Sequence, residues 1–315
     1  MISPSPQTGN PRIQQPGFSP VRILALAASA FTQLTRMKVF YFLLVFGLVV
    51  LGASLFVHQI TDQGLERGFE ARIAQQLKVL KDMSTAAMSV FASLFAIAAT
   101  ALLLPGDAES RTLYTILAKP VPRHEYLTGK YLGVLAVIIV ILAAMSAIFA
   151  VILALQQQAL LHKELSWMGD PDPETLESLH TALRQHGLNP SLFSAVAAIF
   201  LKAAVVAAVT LFLSTFASSS LFTMIAGFAV FVIGHLLPLA IDYWTQVLHL
   251  EGPGLFFTGV LSVLVPNFQA FDIVDPVLSG EPLPPGLLPR LSALAAGYAA
   301  TFLLMSSFVF SAREL

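Results

Sequence analysis

Six apolar runs of membrane-crossing length constrain this chain more than any other feature. A helix needs about 20 mostly apolar residues to cross a hydrocarbon core about 30 Å thick, because each residue advances the chain by about 1.5 Å. Val39–Val57, Ala86–Leu104, Tyr131–Leu155, Leu192–Phe216, Leu221–Ile241 and Leu291–Ser311 meet that requirement, and only the fourth carries a charged side chain, Lys202. The runs are apolar on every face rather than at every second residue, which excludes strands of a membrane barrel. The pattern predicts an all-α integral membrane protein with six transmembrane helices. The composition agrees, with 56% hydrophobic and 11% charged residues, against roughly 25% charged in a soluble domain.

Charge and cysteine usage remove several function classes. With 17 Lys plus Arg against 18 Asp plus Glu, the net charge is −1, so no basic surplus points to nucleic acid. The absence of cysteine removes disulfides, thiolate metal sites, iron–sulfur clusters and a cysteine nucleophile.

The segments between the runs differ in kind. Met1 to Pro20 carries five prolines among Ser, Gln and Gly, too few apolar groups to offset ordering entropy, and reads as a disordered tail. Val21 to Lys38 sets Ile23, Ala27, Ala30, Phe31 and Leu34 at helical spacing, which predicts an amphipathic interfacial helix. The loop from Gln156 to Pro190 reads as a solvated cap with a short helix over Glu174–His186 after Pro173. Gly254 to Val265 is apolar but would extend only about 18 Å as a helix. The region 250–271 is therefore expected to dip into the membrane and return, packed against the bundle. If both termini are cytoplasmic, nine cations fall on the cytoplasmic side, most of them close to span ends, against seven spread over longer outer loops. That bias favours a multi-pass inner-membrane protein with both ends inside.

Catalytic patterns fail on their own requirements. Gly129-Lys130 resembles the end of a P-loop, but Tyr131 stands where Ser or Thr must reach magnesium. His124-Glu125 begins like a zincin helix, yet Thr128 replaces the second histidine. No metal site, bound cofactor or catalytic residue is assigned to this chain. The six spans hold no Asp or Glu, which argues against proton coupling through intramembrane carboxylates. Lys202 needs a partner or water at mid-depth. It and His235 are candidates for a substrate pathway, and a purely structural role is the alternative for each.

Asp107 to Lys130 is a polar insert between the second and third spans. Ala108–Leu117 reads as a short amphipathic helix capped by Asp107 and stopped by Lys119-Pro120-Val121-Pro122. The stretch from Glu109 through Arg111-Thr112-Leu113-Tyr114, Leu117, Lys119-Pro120, Arg123 and Glu125 to Gly133 resembles the first cytoplasmic loop of type-2 ABC (ATP-binding cassette) exporter permeases. The likeness extends to Ser214-Thr215-Phe216, Pro266-Asn267-Phe268 and the closing Phe310-Ser-Ala-Arg313-Glu314-Leu315. It is nearest to the permeases of sodium exporters and of nitrous-oxide-reductase maturation. Relatives often carry Gly-Thr at Arg111-Thr112, Ser at Pro122 and an Arg-Glu pair at Leu104-Pro105-Gly106.

That resemblance implies a permease subunit without catalysis of its own. ATP and magnesium would sit on a separate ABC ATPase, a second permease subunit would complete the pathway, and the loop would be a coupling helix. Glu109, Arg111, Lys119, Arg123 and Glu125 would then orient the dock, with Leu113, Tyr114 and Leu117 supplying buried area. The other reading is a membrane scaffold that recruits soluble partners without moving substrate.

Overall fold

The computed structural model describes residues 19–61, 69–109, 122–169, 172–189, 191–217, 219–246, 253–273 and 286–312. Those residues form nine α-helices and one 3-10 turn. In chain order they are α1 (Pro20–Thr35), α2 (Lys38–Thr61), α3 (Phe69–Glu109), α4 (Arg123–Met168), α5 (Pro173–His186), α6 (Ser191–Phe216), α7 (Ser220–Gln246), α8 (Pro253–Leu264), the turn Gln269–Phe271 and α9 (Leu287–Ala312). Five helices are long and apolar enough to cross a membrane; a sixth span results if α1 and α2, bent by 67°, count together. The expected tail and most of the expected coupling helix lie outside the described residues.

The centre of the bundle is α6, which packs against α3, α4, α7 and α9. Its residues explain that position. Ala195, Ala198, Ala203, Ala204, Ala207 and Ala208 are all buried. Small side chains let helix backbones approach closely where lipid supplies no hydrophobic driving force. The outer helices show the opposite pattern: α2 exposes Phe42, Val45 and Val49, and α7 exposes Phe222, Ile225 and Leu236, as side chains facing acyl chains should.

Two helices are far longer than a bilayer requires. α3 has 41 residues and α4 has 46, about 61 and 69 Å at 1.5 Å per residue. Their apolar windows leave the start of α3 and the end of α4 projecting on one side. There α5 lies across them, and Ile73, Leu77 and Leu80 meet Leu160, Leu179 and Leu183 in a buried cluster. Arg72 Nη2 bonds Glu164 Oε2 across it at 2.8 Å. The expected helix after Pro173 is α5, but the stretch from Gln156 onward is not all loop, because α4 runs on to Met168. Charged residues ended the hydropathy signal there without ending the helix.

Lys81 is buried beneath this cap, with 2% of its surface exposed and no hydrogen-bond acceptor among the described residues. Burial pushes its ammonium down to about 8. The His186 imidazole is also pushed down, by burial and then by the charge of Lys81.

α8 has 12 residues, too short to span, and packs on α7. The chain returns through Pro266 and the 3-10 turn, which buries Phe268 and Phe271. α7 is built to receive it. Pro238 has no amide hydrogen, so the carbonyl of Gly234 loses its partner four residues on. The Phe268 amide donates to that carbonyl at 3.2 Å. Gly234 also leaves the space that the Phe268 ring fills, since a Cβ there would lie 2.5 Å from Phe268 Cδ2.

Candidate functional site

Two polar constellations stand out in this apolar chain. The first fastens α1 to the start of α4, on the side opposite the cap. α4 presents Gly129 and Gly133 four residues apart, and α1 lies directly on them. A Cβ at Gly129 would be 2.5 Å from Leu26 Cβ, and one at Gly133 would be 2.5 Å from Ala30 Cβ and 2.8 Å from the Ala27 carbonyl. This is close backbone packing of the small-xxx-small kind. At one end of the contact, Arg22 Nε and Nη2 donate to the two oxygens of Glu125 at 2.8 and 3.0 Å, and the Ser19 amide adds a bond at 2.9 Å. Glu125 is fully buried, in the first turn of α4, where a carboxylate also meets the positive helix end. Further along, Lys130 Nζ donates to Gln33 Oε1 at 3.0 Å.

Arg123 extends the same assembly to the last helix. Its Nη1 donates to the Phe310 carbonyl at 2.7 Å, satisfying one of the acceptors left open at the end of α9. The guanidinium also lies over the Phe310 ring, 5.8 Å from its centroid. Thus α1, α4 and α9 meet at Pro122–Glu125, where α4 emerges from the segment 110–121.

The expected dock residues fall unevenly on this picture. Glu109 ends α3. Arg111, Thr112, Leu113, Tyr114, Leu117, Lys119 and Pro120 lie outside the described residues. Arg123 and Glu125 are both committed to internal contacts, with Arg22 and Phe310. Arg22 is not among the residues the sequence singles out; the signal for it is the lone charge on an otherwise uncharged, proline-started helix.

The second constellation runs from the core of the bundle to its edge. Lys202 on α6 is buried, and its Nζ donates to Asp272 Oδ1 at 2.6 Å and to Ser89 Oγ on α3 at 3.1 Å. His235 Nε2 on α7 is 3.4 Å from Asp272 Oδ2. The imidazole stacks on Phe268 with centroids 5.9 Å apart. Asp272 follows the 3-10 turn directly, so the return of the short helix delivers a carboxylate to both Lys202 and His235. The two pathway candidates are therefore brought together by a third residue that no spacing announces. A buried ammonium demands a counter-charge or water, and that demand was the one available signal. Among the described residues, no three or more His, Asp or Glu side chains are grouped to hold a metal ion.

The arrangement combines a bundle of long apolar helices, a helix α1 clamped to the start of α4, and a short helix that returns at the opposite side. A family model described as ABC-2 family transporter protein matches residues 24–314. The chain belongs to the ABC-2 transporter family. No significant match to a curated protein accompanies it. Membership makes the chain a multi-pass membrane component of transport, and the match begins within α1, so most of that helix, the glycine contacts with α4 and the return segment fall inside the ABC-2 region, while Ser19 and Arg22 stand just before it.

Proposed function

We propose that this chain is the permease subunit of an ABC exporter, paired with a second permease subunit and driven by a separate ATPase that carries ATP and magnesium. The clamp at the root of α4 is the observation that carries this reading. Segment 110–121 joins α3 to α4, and any force delivered to it enters a unit in which α1, α4 and α9 are already locked by Arg22, Glu125, Arg123 and two glycine contacts. In this reading Arg111, Thr112, Leu113, Tyr114, Leu117, Lys119 and Pro120, with Glu109, form the face that meets the ATPase. Arg123 and Glu125 hold that face to the bundle. The likeness to sodium-exporter and reductase-maturation permeases supports export, and the cation bias supports cytoplasmic termini in an inner membrane.

Lys202, Asp272 and His235 join the core to the returning segment at the far mouth. In a permease they would line the pathway there and hold it closed between cycles.

The test is reconstitution of the full chain with its ATPase in proteoliposomes. Gly133→Leu should pry α1 from α4, and Arg123→Glu should repel the α9 carbonyls and reverse the charge beside the dock. Both should lower stimulated ATP hydrolysis several-fold while the protein still inserts. Because the chain lacks cysteine, Thr8→Cys and Thr181→Cys report topology cleanly, the first labelled only from the cytoplasm and the second only from outside. Unchanged stimulation in both variants, or inverted labelling, overturns the proposal.

A further inference from the structure

An apolar trough of about 1150 Å³ runs between α8 and α9, floored by Phe212 of α6 and Phe302 of α9, whose rings lie 5.8 Å apart. Its lining is almost entirely hydrocarbon and aromatic. The hydroxyl of Thr301, one of its few polar groups, is spent on the Gly297 carbonyl of its own helix at 2.9 Å. Pockets for drug-sized ligands measure roughly 300–1,000 Å³, so the trough has room for more than one hydrocarbon chain.

Two glycines widen it. Several helical glycines in this fold make room for a neighbour, Gly133 for Ala30, Gly227 for Ile97 and Thr210, Gly234 for Phe268, while Gly52 on α2 faces open space. Gly259 on α8 and Gly297 on α9 line the trough, and a Cβ on either would meet nothing within 4 Å. A helical glycine costs about 1 kcal/mol relative to alanine; here no described residue uses the space obtained.

Length and charge identify the occupant. The α9 stripe of the trough runs from Ala293 to Met305, about 18 Å at 1.5 Å per residue, close to one leaflet of a hydrocarbon core about 30 Å thick. Arg290 stands on the same stripe one turn before Ala293, at the end of α9 that lies on the cap side. It is exposed, and its side chain has no partner among the described residues. A cation at the membrane edge followed by a leaflet's length of hydrocarbon wall reproduces the order of phosphate and tails in a lipid. A second copy of the chain seated here would cover Arg290 without offering a carboxylate from the trough's own lining.

We propose that the trough seats a two-tailed anionic glycerophospholipid of the cap-side leaflet, its phosphate on Arg290 and its tails between α8 and α9. The site is distinct from the coupling segment and from Lys202, and it stands whether or not the transport reading does.

The experiment uses the full chain in nanodiscs of phosphatidylcholine doped with phosphatidylglycerol or phosphatidylcholine probes bearing a photoreactive tail. Labelled peptides are mapped by mass spectrometry. Residues 256–266 and 293–305 should be labelled well above the exposed face of α2 at Phe42, Val45 and Val49, and roughly five-fold more by the anionic probe, as expected for one arginine at the membrane surface. Arg290→Gln should abolish the anionic preference while tail labelling persists. Gly259→Leu with Gly297→Leu should fill the trough without a clash and cut its labelling about ten-fold, while labelling of α2 stays constant as the check on folding. Labelling no stronger than on α2, a preference that survives Arg290→Gln, or disulfide cross-linking of single-cysteine copies through residue 297 would each overturn the assignment.

Discussion

Replacing Lys81 with methionine should strengthen the cap, and the size and pH dependence of the gain follow from the burial of its ammonium. The group falls from 10.5 to about 8 because burial penalises its charge and no acceptor among the described residues offsets the loss. Each unit corresponds to about 1.36 kcal/mol, and solvent at the edge of the cap screens part of it, so the charged form costs the folded cap on the order of 1–3 kcal/mol. Between pH 8 and 10.5 the unfolded state binds more protons than the folded one, and wild-type stability rises with pH across that window. Below pH 8 both states hold the proton and the full penalty applies. Methionine keeps the length and packing of the stem without the charge. Lys81→Met should therefore slow amide exchange over residues 160–186 at pH 7 by an amount equivalent to about 1–3 kcal/mol, the range seen when buried charges give way to apolar side chains. The gap should narrow as the pH approaches 10. Hydrogen–deuterium exchange of the full chain in nanodiscs, with rates corrected for intrinsic pH dependence, reads both quantities. Equal protection at pH 7, or a gain that does not shrink with pH, would show that the ammonium is solvated or paired and would refute the argument.

Asp272→Ala should leave the Lys202 ammonium with Ser89 alone and destabilise the return segment by roughly 1–3 kcal/mol, less than for a fully buried pair because the carboxylate is partly exposed; adding Lys202→Met should recover most of that loss in thermal unfolding, and a double variant as weak as the single one would contradict the pairing. Gly234→Ala places a methyl against Phe268 and the Pro266 carbonyl and should cost about 1–3 kcal/mol, seen as faster exchange of the Phe268 amide that bonds the Gly234 carbonyl; unchanged exchange would mean the turn does not depend on that fit. Arg123→Ala should free the end of α9 and raise exchange at residues 307–310, while Arg123→Lys restores less than half, because an ammonium cannot bond the carbonyl and cover the Phe310 ring with one planar group.

The sequence made the helices legible where hydrocarbon alone decides the outcome. The apolar runs became helices, the dozen residues before Pro266 were too few to cross, and Pro173 marked the start of α5. The projecting ends of α3 and α4 escaped notice because hydropathy measures solvent preference, and Arg72, Lys78, Lys81 and Glu164 are good helix formers that prefer water. Lys202 advertised a need for a counter-charge, but Asp272 is 70 residues away, in a segment whose path depends on Pro238 freeing one carbonyl. Glu125 looked like a surface residue of a docking loop. Its burial depends on Arg22 arriving from 103 residues earlier in the chain, and no local pattern encodes that meeting.

The length of α4 couples movement at the two faces of the membrane. A straight rod of 46 residues pivoting near the bilayer midplane behaves as a seesaw, and a tilt of only about 10° sweeps an end about 35 Å from the pivot through roughly 6 Å. The Glu164 end would then swing sideways whenever the Glu125 end is pushed, carrying α3 and α5 along through Arg72. A fluorophore pair on the cap would thus register events at the opposite face of the membrane without being attached anywhere near them.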